Sequence, residues 1–343
     1  MDKNYLIRIF NKIEIDILKY ISQSKNIGLS TYKQRQLLDF IRKEVYSNYG
    51  FIDKNLPDLI REEFIKSKLV KYPNQYILNA SEIKLIQNII NNYMGQLFEI
   101  TNNTINNIYK LNNQAKQDAI NSASSYYQRE LNYSETFLDK IQKEGLVCFT
   151  DKGGKNWTYG DYGNMLSRTT VAITQNYGTV FTYDKIDLYQ MTTHGTTCPI
   201  CAPLEGRVYS RSGDNPNYPS MAEAFGKIDK NGSNDVSNTY LTPHPNCLHR
   251  MIPFIEENKT EEEIKKIREF SSFETNPKNI DPRSQKEIED YRNKERGRRK
   301  LLNDYKEFKK ILLNNPQAPK TFQTFLKHKQ LNSEKYKNWK KNI

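Results

Sequence analysis

Between Tyr5 and Ile21, apolar residues recur in steps of three and four, placing Leu6, Ile9, Ile13, Ile17 and Tyr20 on one face. That period predicts an amphipathic helix. A second helix is predicted over "STYKQRQLLDFIRKEVYSNY", with Ser30 as its cap and Leu37, Ile41 and Val45 turned inward. A shorter one follows in "LPDLIREEFIKSKL", with Pro57 in its first turn. The longest pattern begins near Ser81 and carries Ile83, Ile86, Ile90, Tyr93, Leu97, Ile100, Ile108 and Leu111, interrupted at Thr104. Its other face is mostly asparagine and glutamine. Asparagine is a weak helix former, so packing rather than propensity must hold this helix. A further helical stretch is predicted from Gln114 to Gly145.

The texture changes after residue 145. "LVCFT" reads as a short strand before a Gly-rich turn, and "YGDYGNMLSRTTVAITQNYG" as a helix with Met165, Thr169 and Ile173 on one side. "YDKIDLYQMTTH" reads as a strand, and Gly206 as the turn before another. Residues 210–240 read as a long polar loop with one short helix around "SMAEAFG", and "MIPFI" as a closing strand. Beyond Glu256 the chain is charged and helical, broken at "NNPQAP". The expected class is α+β. It comprises an elongated helical region over 1–144, a compact mixed domain over 145–256 and a charged helical tail over 257–343.

Charge sharpens this picture. The chain of 343 residues has a formal net charge of +12, and residues 291–343 hold sixteen basic and four acidic residues, equal to the whole excess. A basic arm is expected, with Arg292, Arg296, Arg298, Arg299, Lys300, Lys309 and Lys310 as candidate contacts to nucleic acid or an acidic protein. No apolar run approaches the ~20 residues of a membrane span. The first residues, "MDKNYLIRIF", lack an apolar signal core, which leads to an expectation of synthesis and assembly in the cytosol.

Candidate chemistry is concentrated in two places. The chain has four cysteines and four histidines. "TTHGTTCPICAPLEGRVYS" holds His194, Cys198 and Cys201, and "TPHPNCLHR" holds His244, Cys247 and His249. Cys198 and Cys201 are spaced as a metal knuckle, and His244 and Cys247 form a second pair with the same gap. Together they offer three thiolates and one imidazole, the set a tetrahedral structural zinc takes. His249 is an alternative ligand, and His194 an alternative or a donor behind the ligands. Two other readings stand beside this one. The cysteines could stay free and buried or pair as a disulfide, or the ion could be catalytic, as in a Cys/His-knuckle nuclease. The chain has no H-E-x-x-H, no H-x-E followed by P-C-x-x-C, and no phosphate-binding loop, since "DKGGKNW" lacks the length and the final Lys-Ser/Thr. Trp157 reads as core or a domain-interface plug. Arg168 reads either as a lock between its helix and the Cys/His loop or as an exposed helix arginine.

The pieces "CPICAPLEGRVYS", "YPS" and "HPNCLHRMIPFI" resemble the Firmicutes phage minor capsid protein 2 family, itself related to phage head-morphogenesis proteins. Cys198, Cys201, Gly206, Tyr209, Ser210, Tyr218, Pro219, His244, Pro245, Asn246, Cys247 and His249 match its pattern, and Leu248 departs from the family's usual arginine. Trp157, Arg168, Thr169 and Gly178 are similar to the preceding helix of the relatives, and "SQKEIEDYRNKERGRRKLLNDYKEFKK" to the basic helix that follows. The likeness covers residues 150–310. It implies a structural, non-enzymatic virion protein at the portal vertex or in the head interior, present in multiple copies. The implied partners are the portal, possibly the major capsid or scaffold protein, and packaged DNA. A soluble DNA-binding protein acting outside the particle is the remaining alternative.

Overall fold

The computed structural model describes residues 1–23, 29–68, 75–182, 185–225, 242–315 and 317–341. Part of the expected long loop, residues 226–241, therefore lies outside the described residues. Helix α1, Lys3–Gln23, buries Leu6, Ile9, Phe10, Ile13 and Ile17 as its period dictates. Tyr20 is half-buried and stacks on Phe40 with ring centroids 3.7 Å apart.

Helix α2, Thr31–Ser67, runs unbroken through Pro57, where two helices were expected. An interior proline removes one backbone bond and costs about 3 kcal/mol. Burial explains why the helix continues. Ile52, Leu56, Leu59, Ile60 and Phe64 keep the apolar stripe in phase across the proline, and all are buried. Each such side chain contributes roughly 1.5–3 kcal/mol.

Helix α3, Ala80–Ser122, starts in a reciprocal cap: Glu82 N donates to Asn79 Oδ1 at 3.0 Å, and Asn79 N donates to Glu82 Oε2 at 2.9 Å. Ile83, expected to face inward, is 54% exposed, and the buried stripe begins at Ile86. Thr104 does not interrupt the helix, because its hydroxyl donates back to Ile100 O at 2.7 Å. The helical pattern expected from Gln114 onward is split. Its first part ends α3, and Ser125 then caps α4, Tyr126–Glu144, which stops at Gly145 with φ 67°.

Strands β1, Val147–Thr150, and β2, Asn156–Thr158, form an antiparallel hairpin. Asp151 shapes its turn by accepting from Gly153 N, Lys155 N and Trp157 Nε1. Trp157 is half-buried, edge-on to Tyr162, with Lys155 Nζ 3.3 Å from its ring centroid. Helix α5, Tyr159–Val180, follows directly. Strands β3, Leu188–Met191, β4, Val208–Ser210, and β5, Met251–Pro253, form an antiparallel sheet in the order β4-β3-β5. Between β4 and β5 lies the short helix α6, Met221–Phe225. Helices α7, Glu261–Ser271, α8, Gln285–Asn314, α9, Phe322–Gln330, and α10, Glu334–Lys340, complete the described chain.

The chain forms two compact units, each assembled from separate stretches. One comprises Met1–Lys3, Lys54–Gly95 and Met165–Arg296, and the other Asn4–Asp53, Gln96–Asn164 and Gly297–Ile343. The first holds the three-stranded sheet, around which Val180, Tyr189, Met191, Tyr209, Met221 and Met251 pack. The second holds the β1–β2 hairpin and a separate core of Phe308, Ile311, Leu312, Phe325, Tyr336 and Trp339. The expected basic arm is thus packed beyond residue 308. Lys329 pairs with Asp304 and Glu307, and Lys309 Nζ lies 3.1 Å from Glu14 Oε1.

Two predictions follow from this packing. A Cβ on Gly178 would meet Phe64 O at 2.4 Å, whereas one on Gly50 meets nothing within 4 Å. In urea denaturation Gly178→Ala is expected to lose about 1–3 kcal/mol or more, and Gly50→Ala to gain about 0.5–1 kcal/mol. Glu14 is fully buried, and desolvation outweighs the pull of Lys309, so its carboxyl titrates above the ordinary range. A raised folded-state value favours folding below the unfolded value of about 4.3, and the benefit is lost as pH rises through the folded value. The stability of Glu14→Gln relative to the parent should therefore rise as pH climbs from about 4.5. Thermal melts across that range check it.

Candidate metal centre

The central strand β3 sets the geometry. It pairs with β4 through Leu188↔Ser210 to Gln190↔Val208 and with β5 through Tyr189↔Pro253 to Met191↔Met251. The segment leaving β3 and the segment entering β5 therefore meet at one end of the sheet, where Thr192 N donates to Arg250 O at 2.9 Å. In the first segment, Cys201 N and Ala202 N both donate to Cys198 O, and Leu204 N and Glu205 N donate to Cys201 O. Gly206 returns the chain to β4, with φ 77° and its N–H on Met191 O at 2.9 Å. That is the turn the sequence assigned to this glycine. In the second segment, Cys247 N donates to His244 O at 3.2 Å, and Asn246 takes the left-handed region at φ 63°.

The two knuckles bring five ligand groups together as two overlapping trios, Cys198/Cys201/His244 and Cys201/Cys247/His249. Within each trio all ligand atoms lie within 4.8 Å of one another. The four residues singled out by spacing are thus shared between two sets joined at Cys201, and His249 enters one of them. Cys201 Sγ and Cys247 Sγ are 3.8 Å apart. With zinc–sulfur bonds of about 2.3 Å, a tetrahedron has sulfur–sulfur edges of about 3.8 Å, so this pair fits an ion between them. His244 Nε2 lies 3.2 Å from Cys198 Sγ and 3.1 Å from Cys201 Sγ, and its Nδ1 faces Pro245 O at 2.7 Å. A proton on Nδ1 leaves the Nε2 lone pair turned toward the sulfurs, as a ligand requires.

The electrostatics favour a bound cation. Hydrogen bonds from Cys201, and then from His244, outweigh burial and pull Cys198 down to about 3. His244 is pushed up to about 9 by its bond to Cys198, against burial. Cys247 is lowered by its bond with Cys201, and Cys201 is raised by its bonds with Cys198 and Cys247. For His249, burial opposes protonation, but bonds to Cys247 and Glu205 prevail and raise it. Thiolates are thus held ready, and an ion would replace protons already crowded among the ligands. The residues fit a structural zinc. Cys148 is remote in role. Its thiol donates to Trp157 O at 3.2 Å, and desolvation pushes it up to about 12.

Other singled-out residues fall differently. The ring of His194 is in neither trio; it sits edge-on to His249 at 4.4 Å, and its backbone N–H donates to Glu205. Arg168 is exposed, and among the described residues it pairs with no carboxylate, so it does not lock α5 to the knuckle. Three other residues do. Asn246 N donates to Thr169 Oγ1 at 3.1 Å, Arg250 reaches Ala172 O and Gln175, and Asn176 bridges His249 O and Met251 N. Sequence reasoning passed over Arg250 and Asn176. Asn176 is one of several polar residues buried along α5, beside Ser167, Thr170 and Thr174, so its polarity alone did not mark it out. On α8, Arg292, Arg296, Arg298, Arg299, Lys300 and Lys310 are exposed, while Lys309 is spent on Glu14.

Residues 9–329 match the family model described as phage minor capsid protein 2. No curated protein and no solved structure matches the chain. If the knuckles hold an ion, purified protein should carry about one zinc per chain. Cys201→Ser, which removes the group common to both trios, should abolish it. Elemental analysis, with melting curves before and after chelation, reads both effects.

Proposed function

Because the chain belongs to the phage minor capsid protein 2 family, whose members are structural capsid proteins rather than catalysts, we propose that it acts at the portal vertex or head interior, contacting packaged DNA through α8. The family match over residues 9–329 carries this reading. Zinc at Cys198, Cys201, His244 and Cys247, with His249 within reach, serves as a structural clip. Without it the two knuckles are joined to each other and to α5 by hydrogen bonds, such as His249 to Glu205 and Asn246 to Thr169. No helix among the described residues is long and apolar enough to cross a membrane.

Local contacts support the role given to α8. Arg283, just before this helix, is only 9% exposed; it forks onto Asp281 and donates through NH1 to Thr197 O at 2.8 Å. Lys294, inside the helix, donates to Thr196 Oγ1 at 2.8 Å. Thr196 and Thr197 immediately precede Cys198. The start of α8 is therefore anchored to the knuckle, and the exposed Arg292 and Arg296 rise from an anchored base. Guanidinium groups on a fixed helix suit phosphate oxygens, which they meet by paired hydrogen bonds. Such contacts position a protein on DNA without reading its sequence. Portal subunits, and possibly the major capsid or scaffold protein, are the proposed protein partners, engaged by several copies through the helices of residues 1–144.

Two measurements test this. The protein should co-purify with assembled heads and be retained on immobilised portal. Duplex DNA should bind without sequence preference and release with salt. Replacing Arg292, Arg296 and Arg299 by Glu should cut the steepness of log affinity against log salt by about 3. An unchanged slope removes α8 from the DNA contact.

A further inference from the structure

Glu205 lies four residues beyond Cys201, the second sulfur of the first knuckle. In the structure one of its oxygens, Oε2, accepts three donors: His249 Nε2 at 2.9 Å, Thr197 Oγ1 at 2.6 Å and His194 N at 3.1 Å. Its backbone belongs to the same turn as Cys201, since Glu205 N donates to Cys201 O at 2.9 Å. One short turn thus delivers both a sulfur ligand and a carboxylate aimed at the far nitrogen of a histidine in the other knuckle.

We propose that Glu205 is a positioning residue that fixes His249 as an inner metal ligand, making Cys201, Cys247 and His249 the retained half of the centre and Cys198 with His244 its exchangeable half. This rests on the metal reading given above. The argument begins with the histidine's tautomer. A ring whose Nε2–H is given to a carboxylate presents the lone pair of Nδ1, and His249 Nδ1 lies 3.4 Å from Cys247 Sγ. Without an ion, a proton on Nδ1 bridges to the Cys247 thiolate; a metal ion would take that proton's place between the two atoms. The distance matches an edge of about 3.5 Å in a tetrahedron of one Zn–N bond near 2.05 Å and one Zn–S bond near 2.3 Å.

Burial separates the halves. Cys201, Cys247 and His249 are 1%, 2% and 6% exposed, while Cys198 and His244 are only half-buried. Water reaches the second pair far more readily, so ligand exchange begins there. His244 also lacks a carboxylate behind it; its Nδ1 has only the neighbouring carbonyl of Pro245. A carboxylate raises the basicity of the imidazole it holds more than a carbonyl does, which again favours retention at His249.

The test uses the full chain with cobalt(II) and zinc(II) as probes. In the zinc-loaded parent, nitrogen NMR should show His249 with a metal-bound Nδ1 and a protonated Nε2. Glu205→Gln should weaken zinc about 10–100-fold against a chromophoric chelator, shift the cobalt ligand-field bands and disturb the His249 nitrogen signals, with Glu205→Asp recovering part of the affinity. His249→Ala should cost as much as Glu205→Gln, the double variant little more than either, and His244→Ala less than His249→Ala. If the parent binds metal but His249 Nδ1 is not coordinated, or Glu205→Gln leaves affinity and spectrum unchanged, the inference is overturned and the metal centre stands. If the parent takes up neither cobalt nor zinc, both are overturned.

Discussion

The unit that carries the Cys/His centre depends on one strand being hydrogen-bonded along both edges. β3 is four residues long, yet it pairs with β4 on one side and β5 on the other. Those pairings convert a separation of more than forty residues between the two knuckles into a 3.8 Å approach of two sulfurs. The core beneath follows from the same pairing. Tyr189 and Met191 point from β3 into a cluster shared with Cys201 and Cys247, and Tyr189 OH donates to Val180 O at 2.9 Å. The thiols therefore serve as apolar packing on one side and present candidate ligand atoms on the other. This dual use explains how a short sheet with little area of its own can hold a cluster whose groups would otherwise repel one another.

What could be read from the chain and what could not divide along physical lines. Period and spacing are local properties, so α1, most of α3, the Gly-rich turn after β1 and the return at Gly206 were all legible, whereas β2 was not. The knuckles were legible because a gap of two residues constrains geometry whatever surrounds it. Pro57 misled because its cost is local while the burial that outweighs it, at Ile52, Leu56 and Phe64, comes from elsewhere in the chain. The division of the five ligand groups into two trios was out of reach for the same reason. Spacing gives Cys198 with Cys201 and His244 with Cys247, but the association of His249 with Cys247 depends on how β5 enters the sheet. Arg250 and Asn176 join α5 to the knuckle by bonds to backbone atoms, and backbone acceptors leave no mark in a sequence.

The basic segment shows the difference between counting charge and locating it. Residues 291–343 contain the whole formal excess. In the structure that excess divides. Lys309 and Lys329 neutralise carboxylates within the fold, at Glu14 and at Asp304 with Glu307. Arg292, Arg296, Arg298 and Arg299 remain at the surface of a single helix. A largely buried pair such as Lys309–Glu14 contributes little net stability but penalises any rearrangement that separates it, so it specifies the packing of α8 more than it strengthens it.

The fourth cysteine gives the molecule a built-in internal standard. Cys148 is 5% exposed, bonded to a backbone carbonyl and titrates near 12, so almost none of it is ionised at neutral pH. The other three sulfurs lie close together, Cys198 and Cys247 are more acidic than an ordinary thiol, and Cys201 and Cys247 are near enough to be oxidised to each other. On exposure to air, oxidation would therefore fall on the knuckles and spare the hairpin. Thiol-modifying reagents applied to the folded chain would then count the sulfurs of the knuckles and leave Cys148 unmarked.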